Sequence, residues 1–173
     1  ATKNAAGYFS GKSIDAIDLF IGSEGTLGVI TEIEFRLIPR PEAEFNTFFF
    51  VSGEAAAIEL TEKLRATSKK SGITAIEYFD PAALELLRER RRILGPASCV
   101  PPGMPEDKNT AGIYIDTACL KQDIKSNIET LLDIAKKLGK GRLVTAWAAF
   151  DKDERERLKK FRHALPETVK STA

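Results

Sequence analysis

Phe45-Asn46-Thr47-Phe48-Phe49-Phe50-Val51-Ser52 is the stretch that decides how the rest of the chain is read. A short, largely apolar run that ends in a polar residue and a glycine reads as a buried strand. Working outward from it, Ser52 can cap a helix that runs to about Lys70, where Ala56, Leu60, Leu64 and Thr67 share one face. Gly72 ends that helix, and Ile73 to Phe79 reads as a second strand. Asp80-Pro81 is an N-cap followed by proline at the first helical position, which predicts a helix to about Ile93 whose end is crowded by Arg88, Arg90, Arg91 and Arg92.

Four prolines between Gly95 and Asn109 make that segment a loop. Ala111 to Ala118 is a third strand. Lys121 to Leu138 carries Ile124, Ile128, Leu131, Ala135 and Leu138 at helical spacing, and Gly139-Lys140-Gly141 stops it. Leu143 to Ala148 is a fourth strand, and a highly charged helix closes the reading from Asp151 to about Ala164. The order is strand, helix, strand, extra helix, strand, helix, strand. It predicts an α+β fold with a ferredoxin-like antiparallel sheet and helices packed on one face.

Upstream, Asp15 to Phe20 predicts a short helical turn. Leu27 to Ile38 alternates, with Val29, Ile33, Phe35 and Leu37 on one side and Ile30, Glu32, Glu34 and Arg36 on the other, the pattern of a half-buried strand. Pro39-Arg40-Pro41 stops it and marks a domain boundary, giving one unit over residues 1–40 and a second over 41–173.

The 173 residues are enough to bury a core of their own, and 43% hydrophobic with 29% charged residues is a globular composition. Lys and Arg number 26 against 25 Asp and Glu, so the net charge of +1 disfavours nucleic acid as a partner. No apolar run reaches the ~20 residues of a membrane span, so no transmembrane segment is expected. Cys99 and Cys119 fit no metal-ligand spacing, and the free-thiol reading points to a cytoplasmic protein. The single histidine, His163, makes no metal site alone. The chain begins at Ala1 without Met and reads as a piece of a longer protein.

Other features take plain structural readings. Phe48, Phe49 and Phe50 are core rather than a base-stacking platform. The Arg88 to Arg92 cluster is a solvated helix end, Trp147 is sheet packing, and both cysteines are small buried hydrophobes.

The most informative segment is Leu19-Phe20-Ile21-Gly22-Ser23-Glu24-Gly25-Thr26-Leu27-Gly28-Val29-Ile30-Thr31. Glycines at i, i+3 and i+6 let a backbone turn tightly and approach a ligand, with amide groups able to point at an anion. A Rossmann loop follows a strand and opens a helix, whereas this one follows a helical turn and opens a strand, which rejects that reading. By spacing alone it is a helix-to-strand turn.

The wording of the motif adds more. Lys3-Asn4-Ala5-Ala6-Gly7-Tyr8, then Asp18 to Thr31, then Leu37-Ile38-Pro39-Arg40-Pro41 closely resemble the FAD-linked oxidases of the D-lactate dehydrogenase and glycolate oxidase D-subunit type, in the vanillyl-alcohol oxidase superfamily. The resemblance is strong over residues 2–41 and looser beyond. It implies that residues 1–40 end an FAD-binding domain and that 41–173 form a truncated cap, or substrate, domain. It also implies that Gly22, Ser23, Glu24, Gly25, Thr26, Gly28, Val29 and Ile30 lie at or near FAD, with Lys3, Asn4 and Gly7 supporting them. The connection from Phe9 to Ile17 is longer than is usual in the family, which bears on Asn4 and Tyr8.

In Phe161-Arg162-His163-Ala164-Leu165-Pro166-Glu167 the resemblance implies that Arg162 reaches the substrate carboxylate. A planar guanidinium can hold a carboxylate with two hydrogen bonds. The family's pyrophosphate loop lies before the present start and its His/His/Glu cluster after the present end, so no catalytic residue is expected here and the chain is not expected to be active alone. The function implied is oxidation of a 2-hydroxy acid of the D-lactate or glycolate type to the 2-oxo acid, with FAD as cofactor and an electron acceptor that the sequence does not identify. A homodimer is expected from the apolar side of residues 21–35. The alternative is a stand-alone ferredoxin-like module that binds a small ligand or a protein without catalysis.

Overall fold

The computed structural model describes residues 7, 8, 11 and 13–172, which fall into two units, one ending at Pro39 and the other running from Arg40 onward. In chain order the second unit contains β1 (Ala43–Ser52), α1 (Gly53–Ser71), β2 (Ile73–Phe79), α2 (Pro81–Leu94), β3 (Thr110–Cys119), α3 (Ile124–Lys136), β4 (Leu143–Ala149) and α4 (Lys152–Thr172). The four strands form one antiparallel sheet in the order β2-β3-β1-β4. This is the ferredoxin-like arrangement that the order of elements predicts.

The Phe45–Val51 run is buried because β1 is paired on both edges and covered on both faces. Phe45, Phe49 and Val51 pack with Ile113 and Ile115 under Leu60 and Leu64 of α1 and Leu131 and Ala135 of α3. These are the two helices expected on one face. The opposite face is covered as well: Phe48, Phe50, Phe79 and Tyr114 pack under Leu84 and Leu87 of α2 and Leu158, Phe161 and Ala164 of α4. A strand with no polar side has no face to give to water, so α2 and α4 complete a second core layer. Each fully buried Phe or Leu contributes about 1.5–3 kcal/mol to this packing.

The helix boundaries follow their local chemistry. Asp80 Oδ1 accepts from the Ala83 amide at 2.6 Å, and Pro81 fills the first turn of α2. Ser52 stands at the N-cap of α1, but its side chain makes no cap hydrogen bond. Gly72 closes α1 in the left-handed region at φ 68°, where a Cβ would meet the Ala118 carbonyl oxygen at 2.3 Å. The helix expected from Lys121 opens as a 3-10 turn over Lys121–Asp123 before α3 begins. The last helix runs past the expected Ala164, through Pro166, to Thr172. Proline lacks the amide that would bond the carbonyl four residues back, so the Arg162 carbonyl loses its helical donor.

In the first unit, Asp15 Oδ1 accepts from the amides of Ile17 and Asp18 at 2.7 and 3.1 Å, and the Ile17 carbonyl accepts from Phe20 and Ile21 at 3.0 and 3.2 Å. This is the helical turn expected at residues 15–20. The strand expected over Leu27–Ile38 is not formed: among the described residues nothing pairs with this segment, and Val29 and Leu37 are 91% and 85% exposed. Alternation supplies the side-chain pattern of a strand, but a strand exists only where another backbone completes its hydrogen-bond ladder. Cys99 is also a correction to the sequence reading, being exposed with φ 62°, while Cys119 is half-buried.

Candidate functional site

The sheet face under α2 and α4 changes chemistry from one end to the other. One row across the strands reads Phe79, Gly112, Phe50, Thr145. The next reads Glu77, Tyr114, Phe48, Trp147, and the third Ala75, Asp116, Asn46, Ala149. The apolar end anchors α4 through Phe161, whose ring meets Phe48 edge-on at 5.2 Å and Trp147 at 5.3 Å. The polar end carries the candidate site.

Arg162 follows Phe161 and lands on the second row. Its Nε donates to Glu77 Oε2 at 2.6 Å, its Nη2 pairs with Glu77 Oε1, and its Cζ lies 5.5 Å from the centre of the Tyr114 ring. The carboxylate of Glu77 raises the affinity of the guanidinium for its proton. The Arg162 and Glu77 side chains are 33% and 34% exposed, so the pair sits at the rim rather than in the core. Two N–H bonds are spent on Glu77, and Nη1 has no partner among the described residues. A guanidinium has five N–H donors, so one end remains to hold an anion.

Beneath it runs a polar chain. The Tyr114 hydroxyl donates to Asp116 Oδ1 at 2.6 Å, and the Asn46 amide nitrogen donates to the same oxygen. Burial, then Asp116, pushes the Tyr114 phenol well above the ordinary tyrosine range, so Tyr114 is a proton-bearing wall and not a base. Arg155, seven residues before Arg162 on α4, pairs with Glu44. Lys159 lies between them, and Glu44, Asn46, Asp116, Arg155 and Lys159 line a small cleft of about 170 Å³. Arg157 is exposed and does not line this cleft; it lies instead beside Pro101 and Pro102.

The glycine segment in the other unit forms a turn. Gly22 and Gly25 adopt φ 80° and 82°, and Glu24 between them also lies in the left-handed region at 49°. The Ser23 carbonyl accepts from the Thr26 amide at 3.0 Å and from its hydroxyl at 2.7 Å, while the Tyr8 hydroxyl bonds the Thr26 hydroxyl at 2.5 Å. Ser23 is buried; Glu24, Gly25, Thr26, Gly28, Val29 and Ile30 are exposed. A side chain on Gly25 or Gly28 would meet nothing within 4 Å, and the amides of Gly25, Gly28, Val29 and Ile30 make no hydrogen bond among the described residues. An open turn with unengaged backbone donors and acceptors fits the polar edge of a flavin. Gly7 has φ 72° and open space around it, while Lys3 and Asn4 lie outside the described residues.

The resemblance singled out Arg162, whereas Glu77, Tyr114 and Asp116, which the structure places around it, were not named from the sequence. Their signal was present: acids in strands that are otherwise apolar need a cationic or hydroxyl partner. Arg88 is a further correction. It is buried, with Nε donating to the Pro105 carbonyl at 2.7 Å, so the arginine cluster is in part a clamp on the proline-rich loop and not merely a solvated helix end.

No family model matches the chain. Two structures of alkyldihydroxyacetonephosphate synthase superimpose with TM-scores of 0.53 and 0.55 at 19% and 18% identity, covering 90% and 91% of this chain and 28% and 30% of theirs, a likeness of fold. Over 96 residues (56% of the chain) the sequence is 31% identical to glycolate oxidase subunit GlcD of Bacillus subtilis, and over 94 residues (54%) it is 35% identical to D-2-hydroxyglutarate dehydrogenase of Stutzerimonas stutzeri. The match spans only 19% and 18% of those relatives. The relatives are members of the FAD-binding oxidase family, as the resemblance over residues 2–41 implied. Among the described residues no helix is long and apolar enough to cross a membrane.

Proposed function

We propose that this chain is part of an FAD-dependent oxidoreductase that oxidises a 2-hydroxy acid of the D-lactate or glycolate type to the 2-oxo acid. In this reading residues 1–40 end the flavin domain and residues 41–173 form the substrate-side cap. Gly22, Ser23, Glu24, Gly25, Thr26, Gly28, Val29 and Ile30, with Asn4 and Gly7, are the residues that would hold FAD. FAD, when bound, supplies the acceptor for the hydride that leaves the α-carbon. The contribution of this chain is to bind the substrate carboxylate on Arg162 and so fix the orientation of that carbon. A homodimer belongs to the same proposal, resting on the exposure of Ile21, Val29, Ile33 and Phe35, and light scattering of the purified chain tests it.

The observation that carries the reading is Arg162 itself, held at the sheet rim by Glu77 and Tyr114 with Nη1 unengaged. The test is kcat/KM in the full-length enzyme. Arg162→Ala is expected to lose about 2–5 kcal/mol of transition-state binding, and Arg162→Lys most of that, because lysine keeps the charge but not the fork. Arg157→Ala serves as the same-helix control, and FAD content stays unchanged in all three. If Arg162→Ala turns over like Arg157→Ala, the carboxylate role is wrong.

A further inference from the structure

Arg162 is not a lone surface cation but one half of a two-point pair whose partner lies 85 residues away on a different element. Glu77 occupies the edge of the guanidinium formed by Nε and one N–H of Nη2. The Tyr114 ring covers one face of the same plane at 5.5 Å. Tyr114 is fully buried and is held in turn by its hydrogen bond to Asp116, which sets the position of this wall. An arginine side chain has several rotatable bonds and loses rotamer freedom when it binds a ligand from solution. Here two contacts have already removed that freedom, and they leave one direction of approach: the end formed by Nη1 and the outer N–H of Nη2. That end presents two parallel donors, the geometry that a carboxylate accepts.

We propose that Glu77 is the positioning residue for Arg162, holding one edge of the guanidinium so that the opposite end is offered to the substrate carboxylate. The inference rests on the carboxylate reading of Arg162 given above. It also assigns Glu77 a second effect. Its charge cancels that of Arg162, so the site selects its ligand by the direction of two hydrogen bonds rather than by net positive charge. Charged ligands lacking a planar two-oxygen end gain little from a pair that is already neutral.

The experiment is a double-mutant cycle in the full-length flavoenzyme, with kcat and KM measured on a 2-hydroxy acid and on the corresponding 2-hydroxy amide, which has no carboxylate. Glu77→Gln is expected to lower kcat/KM on the acid roughly tenfold or more, to leave the amide unaffected, and to have no further effect when Arg162 is already alanine. Equal losses on acid and amide, or losses that add in the Arg162→Ala background, would make Glu77 a structural partner only and overturn the inference. A large loss for Arg162→Ala with a silent Glu77→Gln overturns the inference while leaving the carboxylate reading intact. A silent Arg162→Ala removes both. Should Glu77→Gln fail to fold, Glu77→Asp, which keeps the charge on a shorter arm, completes the same cycle.

Discussion

The ring of Phe48 lies directly over Gly112, so closely that a Cβ at that position would stand 2.4 Å from Phe48 Cζ. The ring cannot swing away. Phe50, Phe79, Phe161 and Trp147 surround it with centroids 4.6 to 5.9 Å distant. Gly112 is therefore required on β3 by its neighbour on β1 and not by backbone conformation. Gly112→Ala is expected to destabilise the chain by about 1–3 kcal/mol through overpacking. Phe48→Leu in the same chain should recover part of that loss, because the two residues touch and their effects are coupled. Denaturant melts followed by the fluorescence of Trp147, the single tryptophan, measure it, and strictly additive effects would show that the ring does yield.

Arg88 makes the second prediction. Its side chain is 1% exposed and donates to Glu85, to the Pro105 carbonyl and to the Asp107 carbonyl at 2.8, 2.7 and 3.0 Å. A loop with four prolines cannot bond its own backbone regularly, so α2 satisfies the carbonyls from outside, with Arg90 on Ser98 and Arg91 on Val100 adding to Arg88. Arg88→Ala strands these acceptors and is expected to lower stability by about 3–5 kcal/mol and to open residues 101–108 to protease. Arg92→Ala, whose pairs with Glu85, Glu89 and Glu106 are exposed, should change stability by less than about 1 kcal/mol. Equal effects of the two variants would refute the clamp.

These two cases mark where sequence reading reaches its limit. Each strand and helix from Phe45 onward is legible because apolar spacing, the Asp80-Pro81 cap and Gly72 act over a few residues. Arg88 and Arg92 lie one turn apart and look alike in the sequence. What separates them is a loop that folds back from residues 105–107. Glu77 and Arg162 meet only once β2 and α4 are both in place. The alternation at 27–38 is correct as a pattern and wrong as a strand, since pairing depends on a second segment. The glycine turn was legible locally because left-handed backbone at Gly22 and Gly25 is written into the residue type.

The last prediction concerns acid. Glu59 on α1 bonds Lys63 one turn later at 2.6 Å and reaches Arg142, which precedes β4, so one carboxylate ties α1 to the start of the edge strand. Lys63, and then Arg142, hold the Glu59 carboxyl below the usual carboxylate range. A group whose folded pKa lies below its unfolded one binds its proton more weakly in the native state. Its contribution to stability is therefore present above the ordinary value of 4.5 and is lost as the pH falls from there through the lowered folded value. Glu85, held down first by Arg88, titrates in the same direction. Both carboxylates face solvent, so the effect is read as a change of slope rather than as a large loss at neutral pH. Melting temperature plotted against pH should fall less steeply below about 4.5 in Glu59→Gln than in the parent chain, and less steeply again in Glu59→Gln/Glu85→Gln. Molar salt should flatten the parent curve toward that of the variants, because it screens the exposed pairs on which the slope depends. Parallel acid limbs in all three chains would mean that these ion pairs contribute nothing to folding and that other carboxylates set the acid limit.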